Sequence, residues 1–439
     1  MQTIPSKARA LLRTWQGMSA ALPTAGVSLV TDAALKYLDV LTQFEPTGDP
    51  DAVRRGAFYN RARETKRIAR AAALIRRVAP VSLEDPNYLA FLAYQAASVE
   101  LAYEHLPDGL AGRDAFSRFL LGTVHNAEIN ALAVGMPSGG YTIVVLNSGL
   151  VDFVYQAAKA VIEALAPIRP DPDRSRVTAT FDLKVIEARL RSDPTPADRL
   201  YRTLEAYFFH GYPRASAFEK IPDAYGPPLA LLVDMAERWM IGHEYGHGLS
   251  PAMENVPPEV NPSRAREHLA DMLSTVATAF SAAELDGVPP EFSIGGAIFA
   301  LACLDVRRRA YSILRTGSEQ WANVPSPTHP LARDRADSIL RVFRQYFDVD
   351  YFPSGEFDLR FVLRDSPPQP HSFSSEHAKR AYAFANVLQT IWLPVKERLL
   401  MMSGQSVSFT PCGNLKSLIL HYTTPKPLRN LLQNEDCLS

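Results

Sequence analysis

The feature that most constrains this chain is a pair of histidines four residues apart. They sit in Trp239-Met240-Ile241-Gly242-His243-Glu244-Tyr245-Gly246-His247-Gly248. Four residues is slightly more than one 3.6-residue turn, so a helix places both imidazoles on one face, where they can share one small cation. Glu244 directly follows the first histidine and falls at the edge of the position such an ion leaves open. The metal acidifies a water there, and the carboxylate accepts its proton. The flanks agree with a deeply buried helix from about Leu229 to Leu249. Pro227 and Pro228 are tolerated at its start, Pro251 ends it, and Leu231, Leu232, Met235, Trp239 and Met240 supply apolar surface. Gly242, Gly246 and Gly248 each cost up to ~1 kcal/mol in a helix interior. They make sense if other backbone must approach the metal-facing surface closely.

Most of the remaining chain has helical periodicity. Residues 5–120 read as successive helices, including a basic one at 53–78 and helical patterns through Asn87–His105 and Arg113–Thr123. The basic segment reads as a solvated amphipathic helix. Docking of an acidic partner or nucleic acid is the alternative, disfavoured because no aromatic platform accompanies the arginines. The texture then changes. Residues 128–133, the turn Pro137-Ser138-Gly139-Gly140 and the run 141–146 predict a β-hairpin. A helix reaching about Leu165 follows, then a strand at Val177–Leu183 and helices around Ile186–Arg191 and Ala197–Phe209. Beyond the histidine helix, further helices are expected at 264–285, 292–314, up to Phe347, and at 374–402. The acidic loop residues Asp348, Asp350, Glu356 and Asp358 lack calcium-loop spacing.

The expected fold is therefore mainly α (α+β), with a small β-hairpin or sheet beside the histidine helix. Three regions are read: a helical N-terminal part, 1–124, for recognition or regulation; a core, 125–347, with an insertion at about 154–228; and a C-terminal helix and tail, 348–439. A formal net charge of -1 provides no global field to recruit nucleic acid or anionic membrane. No signal peptide is read, and no apolar run approaches the ~20 residues of a membrane helix. A cytoplasmic location is expected. Cys303, Cys412 and Cys437 are odd in number and widely spaced, which argues against a disulfide framework.

A structural zinc wants four protein ligands, mostly cysteine, whereas a hydrolytic zinc wants three and an open position. The cysteines are not spaced for the first kind. Glu267, twenty residues after His247 on the next predicted helix, can be the third ligand. Asp271, one turn further on the same face, can accept the second ring N–H of a ligand histidine and fix its tautomer. His268 points about 100° away from Glu267 and reads as structural.

HExxH followed by Glu267-x-x-x-Asp271 resembles the gluzincin zinc peptidases. Glu267-His268-Leu269-Ala270-Asp271 is most similar to the branch containing HtpX and the CAAX prenyl proteases. Three further stretches resemble that branch in family order. They are Asn130-Ala131-Leu132-Ala133 with Gly139-Gly140-Tyr141 and Ile143-Val144-Val145; Ser148-Gly149-Leu150-Val151; and Thr328-His329-Pro330 with Arg335. The resemblance spans about residues 128–340. It departs from the family pattern in the roughly 75 residues before HExxH and in the absence of membrane helices.

The resemblance implies a zincin-like core with one Zn2+ per chain on His243, His247 and Glu267. Glu244 would be general base and Asp271 would orient a ligand. His329 or Arg335 would assist the oxyanion or brace the site. The hairpin, with Asn130, Ala131, Leu132 and Ala133, would pair with an extended peptide. The expected function is zinc-dependent endopeptidase action on a protein or peptide substrate, with no nucleic acid partner. The alternatives are a catalytically silent zinc-binding regulatory module, or a dedicated single-target protease in stress or phage defence.

Overall fold

Apolar residues recur at helical spacing along most of the chain, and the computed structural model is accordingly mainly helical with one three-stranded sheet. It describes residues 27–42, 61–78, 86–104, 115–124, 131–135, 141–165, 180–210, 221–222, 225–249, 262–282, 288, 290–324, 330–347 and 376–403. In chain order these form α1 (Val27–Thr42), α2 (Arg61–Val78), α3 (Pro86–Tyr103), β1 (Phe119–Val124), β2 (Ala131–Gly135), β3 (Thr142–Asn147) and α4 (Ser148–Leu165). There follow α5 (Leu183–Ser192), α6 (Thr195–His210), α7 (Gly226–Leu249), α8 (Pro262–Ser281), α9 (Pro290–Thr316), α10 (Ala332–Phe347) and α11 (Glu376–Ser403). The acidic loop at 348–358 and the tail at 404–439 lie outside the described residues. No described helix is long and apolar enough to cross a membrane.

Helix α7 is the element around which the others pack. Helices α3, α4, α8 and α9 and strands β2 and β3 all lie against it. Its buried residues Leu232, Met235, Trp239, Ile241 and Tyr245 point in every direction, as a helix surrounded by neighbours requires. One cluster of buried apolar side chains runs from Ala34 in α1 to Leu399 in α11. Ile186 of α5 and Leu200 of α6 belong to it, so the segment read as an insertion shares the core of the rest.

Two of the glycines have the role their placement suggested. A Cβ at Gly242 would lie 2.6 Å from Ser274 Oγ, and one at Gly246 would lie 2.8 Å from the Ala270 Cα. Both distances are too short for real contacts. The backbones of α7 and α8 approach closely because α7 carries no side chain at these positions.

The expected hairpin is present: β2 pairs antiparallel with β3, Ala133 opposite Val144. The sheet also holds a strand that the sequence pattern hid. Residues 113–123 read as helical, yet a short 3-10 turn at Ala115–Arg118 leads into β1, which pairs parallel with β3. The reason is burial. Phe119-Leu120-Leu121-Gly122-Thr123-Val124 is buried throughout and so shows no alternation, and a short apolar run cannot be told from a helix by period alone. The order β1-β3-β2 places β3 in the middle and β2 on an edge.

Of the strand expected at Val177–Leu183, residues 177–179 lie outside the described residues, and the remainder is corrected in the opposite sense. Residues 180–182 have no regular structure, and Leu183 opens α5. Asp182 is the N-cap, its carboxylate accepting from the Lys184 N–H at 2.9 Å, and this helix-start chemistry outweighs the β propensity before it. The basic helix α2 is also less solvated than its composition suggested. Arg67 donates to Ser98 Oγ and lies over the Tyr94 ring, while Arg70 and Arg77 turn inward to Glu100 of α3.

Candidate metal centre

Helices α7 and α8 bring the three expected ligands together. His243 Nε2 and His247 Nε2 are 3.0 Å apart. One carboxylate oxygen of Glu267 lies 3.2 Å from His247 Nε2, and the other lies 3.5 Å from His243 Nε2. Zinc–nitrogen and zinc–oxygen bonds of ~2.0–2.1 Å in a tetrahedron imply donor–donor edges of about 3.3 Å. The three observed separations bracket that value. Within the described residues no fourth His, Cys, Asp or Glu joins the group. Cys303 is buried elsewhere in the core of α9.

Behind the ligands stands a second set of contacts. Asp271 Oδ1 lies 2.9 Å from His243 Nδ1, so the Nδ1–H points at Asp271 and the Nε2 lone pair faces His247 and Glu267. Arg335 of α10 donates to both Asp271 oxygens, from Nε at 2.9 Å and from a terminal nitrogen at 2.7 Å. Its other terminal nitrogen is 3.6 Å from Glu267. Arg335 therefore braces the carboxylates. His329 and Asn130 lie outside the described residues. Ala131, Leu132 and Ala133 are half-buried on β2, whose far edge pairs with no strand among the described residues, and β2 packs against α7.

The electrostatics suit a cation. Glu244, Glu267, Asp271 and Arg335 are all buried. Three carboxylates and one guanidinium sum to -2 with the histidines neutral, the charge that a divalent ion balances. Burial alone would raise the Asp271 pKa, but Arg335 and His243 hold it down at about 2. Burial likewise opposes ionisation of Glu267, yet its contacts with both histidines and the charge of Arg335 keep it well below the usual carboxylate range. Burial disfavours a charged His243, but Asp271 and Glu267 outweigh it and raise its pKa to about 9. A proton and a metal ion compete for that Nε2 lone pair, so a site this attractive to one attracts the other. Glu244 is pushed up by burial, with the two histidines opposing.

The sequence pattern treated two participants as core or passed over them. Trp239 stacks on His243, ring centroids 5.5 Å apart, and donates its Nε1–H to Thr275 Oγ1 at 3.2 Å. The Thr275 hydroxyl donates in turn to the Asp271 carbonyl at 2.6 Å. The available signal was spacing: Trp239 precedes His243 by one turn, and Thr275 follows Asp271 by one turn. Compared with models of known protein families, with curated proteins and with solved structures, the chain finds no match.

Proposed function

We propose that this chain is a zinc-dependent endopeptidase with a zincin-like core, similar in its motifs to the gluzincins. The observation that carries the reading is the convergence of His243, His247 and Glu267 with a buried Glu244 on the same helix. Glu244 is dispensable for merely holding metal, so its burial beside the ligands favours hydrolysis over a silent zinc-binding module. Zinc bound here would supply a Lewis acid that polarises a carbonyl and acidifies a water.

The chain's own residues account for the rest. Arg335 fixes Asp271, Asp271 fixes the His243 ring through Nδ1, and Trp239 flanks that ring. Glu244 accepts the proton of the attacking water and returns it to the leaving amine. The side of β2 that pairs with no strand among the described residues would align an extended peptide, which favours a peptide over other hydrolysable substrates.

The test combines Glu244→Gln with chelation. Glu244→Gln should retain one zinc per chain and lose at least ~100-fold in peptide cleavage. Chelator should abolish cleavage by the wild type, and zinc should restore it. New N-termini compared between wild type and Glu244→Gln in cells would identify substrates. Cleavage that survives both treatments would sink the mechanism.

A further inference from the structure

The ligand side of α7 is held by α8 and α10, and the opposite side has its own anchor. Tyr245 lies between the two histidines in sequence, but at 100° per residue it points about 180° from their mean direction. Its ring is buried against Phe116 and Phe119, centroids 5.8 and 4.7 Å away. Its hydroxyl donates to Glu100 of α3 at 3.3 Å. Glu100 is buried and faces Arg70 at 3.3 Å and Arg77 at 3.8 Å, both from α2. Nearby, the Tyr103 hydroxyl donates to the Gly242 carbonyl at 3.2 Å, one residue before the first ligand.

We propose that Tyr245 is a positioning residue of the metal centre, its hydroxyl fixing the rotation of α7 through the buried Glu100–Arg70–Arg77 cluster. The inference rests on the metal reading above. The contact between α7 and α8 runs over Gly242 and Gly246 against Ser274 and Ala270. Such a surface allows close approach, with Ser274 Oγ on the Trp239 carbonyl and Trp239 Nε1–H on Thr275 Oγ1 as polar ties, and leaves the far side of α7 to be held separately. A histidine Nε2 stands roughly 6 Å from the helix axis, so a 10° rotation of α7 would move it by about 1 Å. Metal–ligand bonds tolerate about 0.2 Å.

A phenylalanine would fill the same space beside Phe116 and Phe119. The hydroxyl must therefore be explained by its partner, since burying it unpaired would be unfavourable. Buried ionic groups contribute little net stability but can specify one arrangement. The cluster also reaches the sheet. Phe119 packs on Tyr245 and opens β1, where it pairs with Thr142, which pairs with Gly135 of β2. Tyr245 thus lies between the ligand helix and the strands proposed to receive peptide.

The experiment titrates Co2+ into the full chain and reads affinity and the visible cobalt spectrum for wild type, Tyr245→Phe, Glu100→Gln and the double variant. Glu319→Gln is the control, because it loosens a tie between Trp392 of α11 and the segment after α9. Tyr245→Phe and Glu100→Gln should each weaken Co2+ binding by about tenfold or more and alter the spectrum. The double variant should be no worse than the weaker single, because both changes act on one contact, the first removing its donor and the second its charge. Glu319→Gln should bind like wild type. Single variants within twofold of wild type, additive losses, or an equal loss in Glu319→Gln would overturn the proposal.

Failure of the endopeptidase reading looks different. Wild type that takes up Co2+ at one per chain yet cleaves no peptide when loaded with zinc removes that reading, while the affinity series still decides Tyr245. Wild type that binds no metal overturns both.

Discussion

The two sides of α7 each carry a buried carboxylate faced by arginine, yet the two carboxylates behave in opposite ways. Asp271, on the ligand side, is held at a pKa of about 2. Glu100, on the back, is raised to about 7. Burial pushes both upward, so the difference lies in the strength of what opposes it. Asp271 receives two hydrogen bonds from one guanidinium at 2.7 and 2.9 Å and a third contact from His243 at 2.9 Å. Glu100 has its arginines at 3.3 and 3.8 Å and the Tyr245 hydroxyl at 3.3 Å. A few tenths of an ångström, and one bidentate fork in place of two looser contacts, decide whether Coulomb attraction exceeds desolvation. The front is a permanent ion cage. The back is a carboxylate able to take up a proton near neutrality.

The largest effect should come from removing the front cation. Arg335→Met leaves Asp271 and Glu267 buried together with no guanidinium to offset the cost of their burial. Stability should fall by about 3–5 kcal/mol in urea unfolding, and metal binding should be lost with it. A loss below about 1 kcal/mol would mean that the front is no cage.

A smaller effect is expected from the pH dependence that Glu100 confers. Its pKa is raised from an ordinary 4.5 to about 7, mainly by burial, against which Arg77 and Arg70 pull. Between those values the folded chain keeps a proton that the unfolded chain has released. Stability from this group is therefore complete below pH 4.5 and is lost as pH rises towards 7, by up to roughly 3 kcal/mol. Glu100→Gln cannot ionise and should flatten that stretch of the profile. Urea midpoints for wild type and variant at pH 5 and pH 7 check it. An unchanged slope would place the titration elsewhere.

How much of this could be read from the chain follows from sequence distance. His243, Glu244 and His247 were legible because one helical turn fixes their relation, and Glu267 and Asp271 because the next helix repeats the same arithmetic. The β2–β3 pair was legible through its turn and its β-branched strands. Strand β1 was not, because a strand buried on both faces has no period to read. The start of α5 was missed because Asp182 acts through one cap hydrogen bond, which no apolar pattern records. Arg335 could be nominated from its motif, but its engagement with Asp271, 64 residues away, is a tertiary fact. The back anchor was least accessible. Tyr245 and Glu100 are 145 residues apart, and α2 read as a solvated basic helix because arginine counts do not show which way each one turns.

The smallest expected effect sharpens the contrast most. Arg77→Met removes one cation from Glu100 and a hydrogen bond to the Phe116 carbonyl, which Arg77 makes at 2.9 Å. At pH 6 Glu100 can remain protonated, so nothing charged is stranded, and the loss should be about 1–2 kcal/mol, chiefly the missing hydrogen bond. At pH 8 the same variant must either ionise Glu100 with only Arg70 opposite it or hold a proton against the solvent, so the loss should grow. Arg335→Met should cost more than this already at pH 6, because it strands two buried carboxylates without their guanidinium. Unfolding of both variants at pH 6, and of Arg77→Met again at pH 8, therefore separates the two sides. Equal losses for the two variants at pH 6 would erase the distinction between the sides of α7. They would also imply that Glu100 is ionised at that pH and is held as tightly as Asp271.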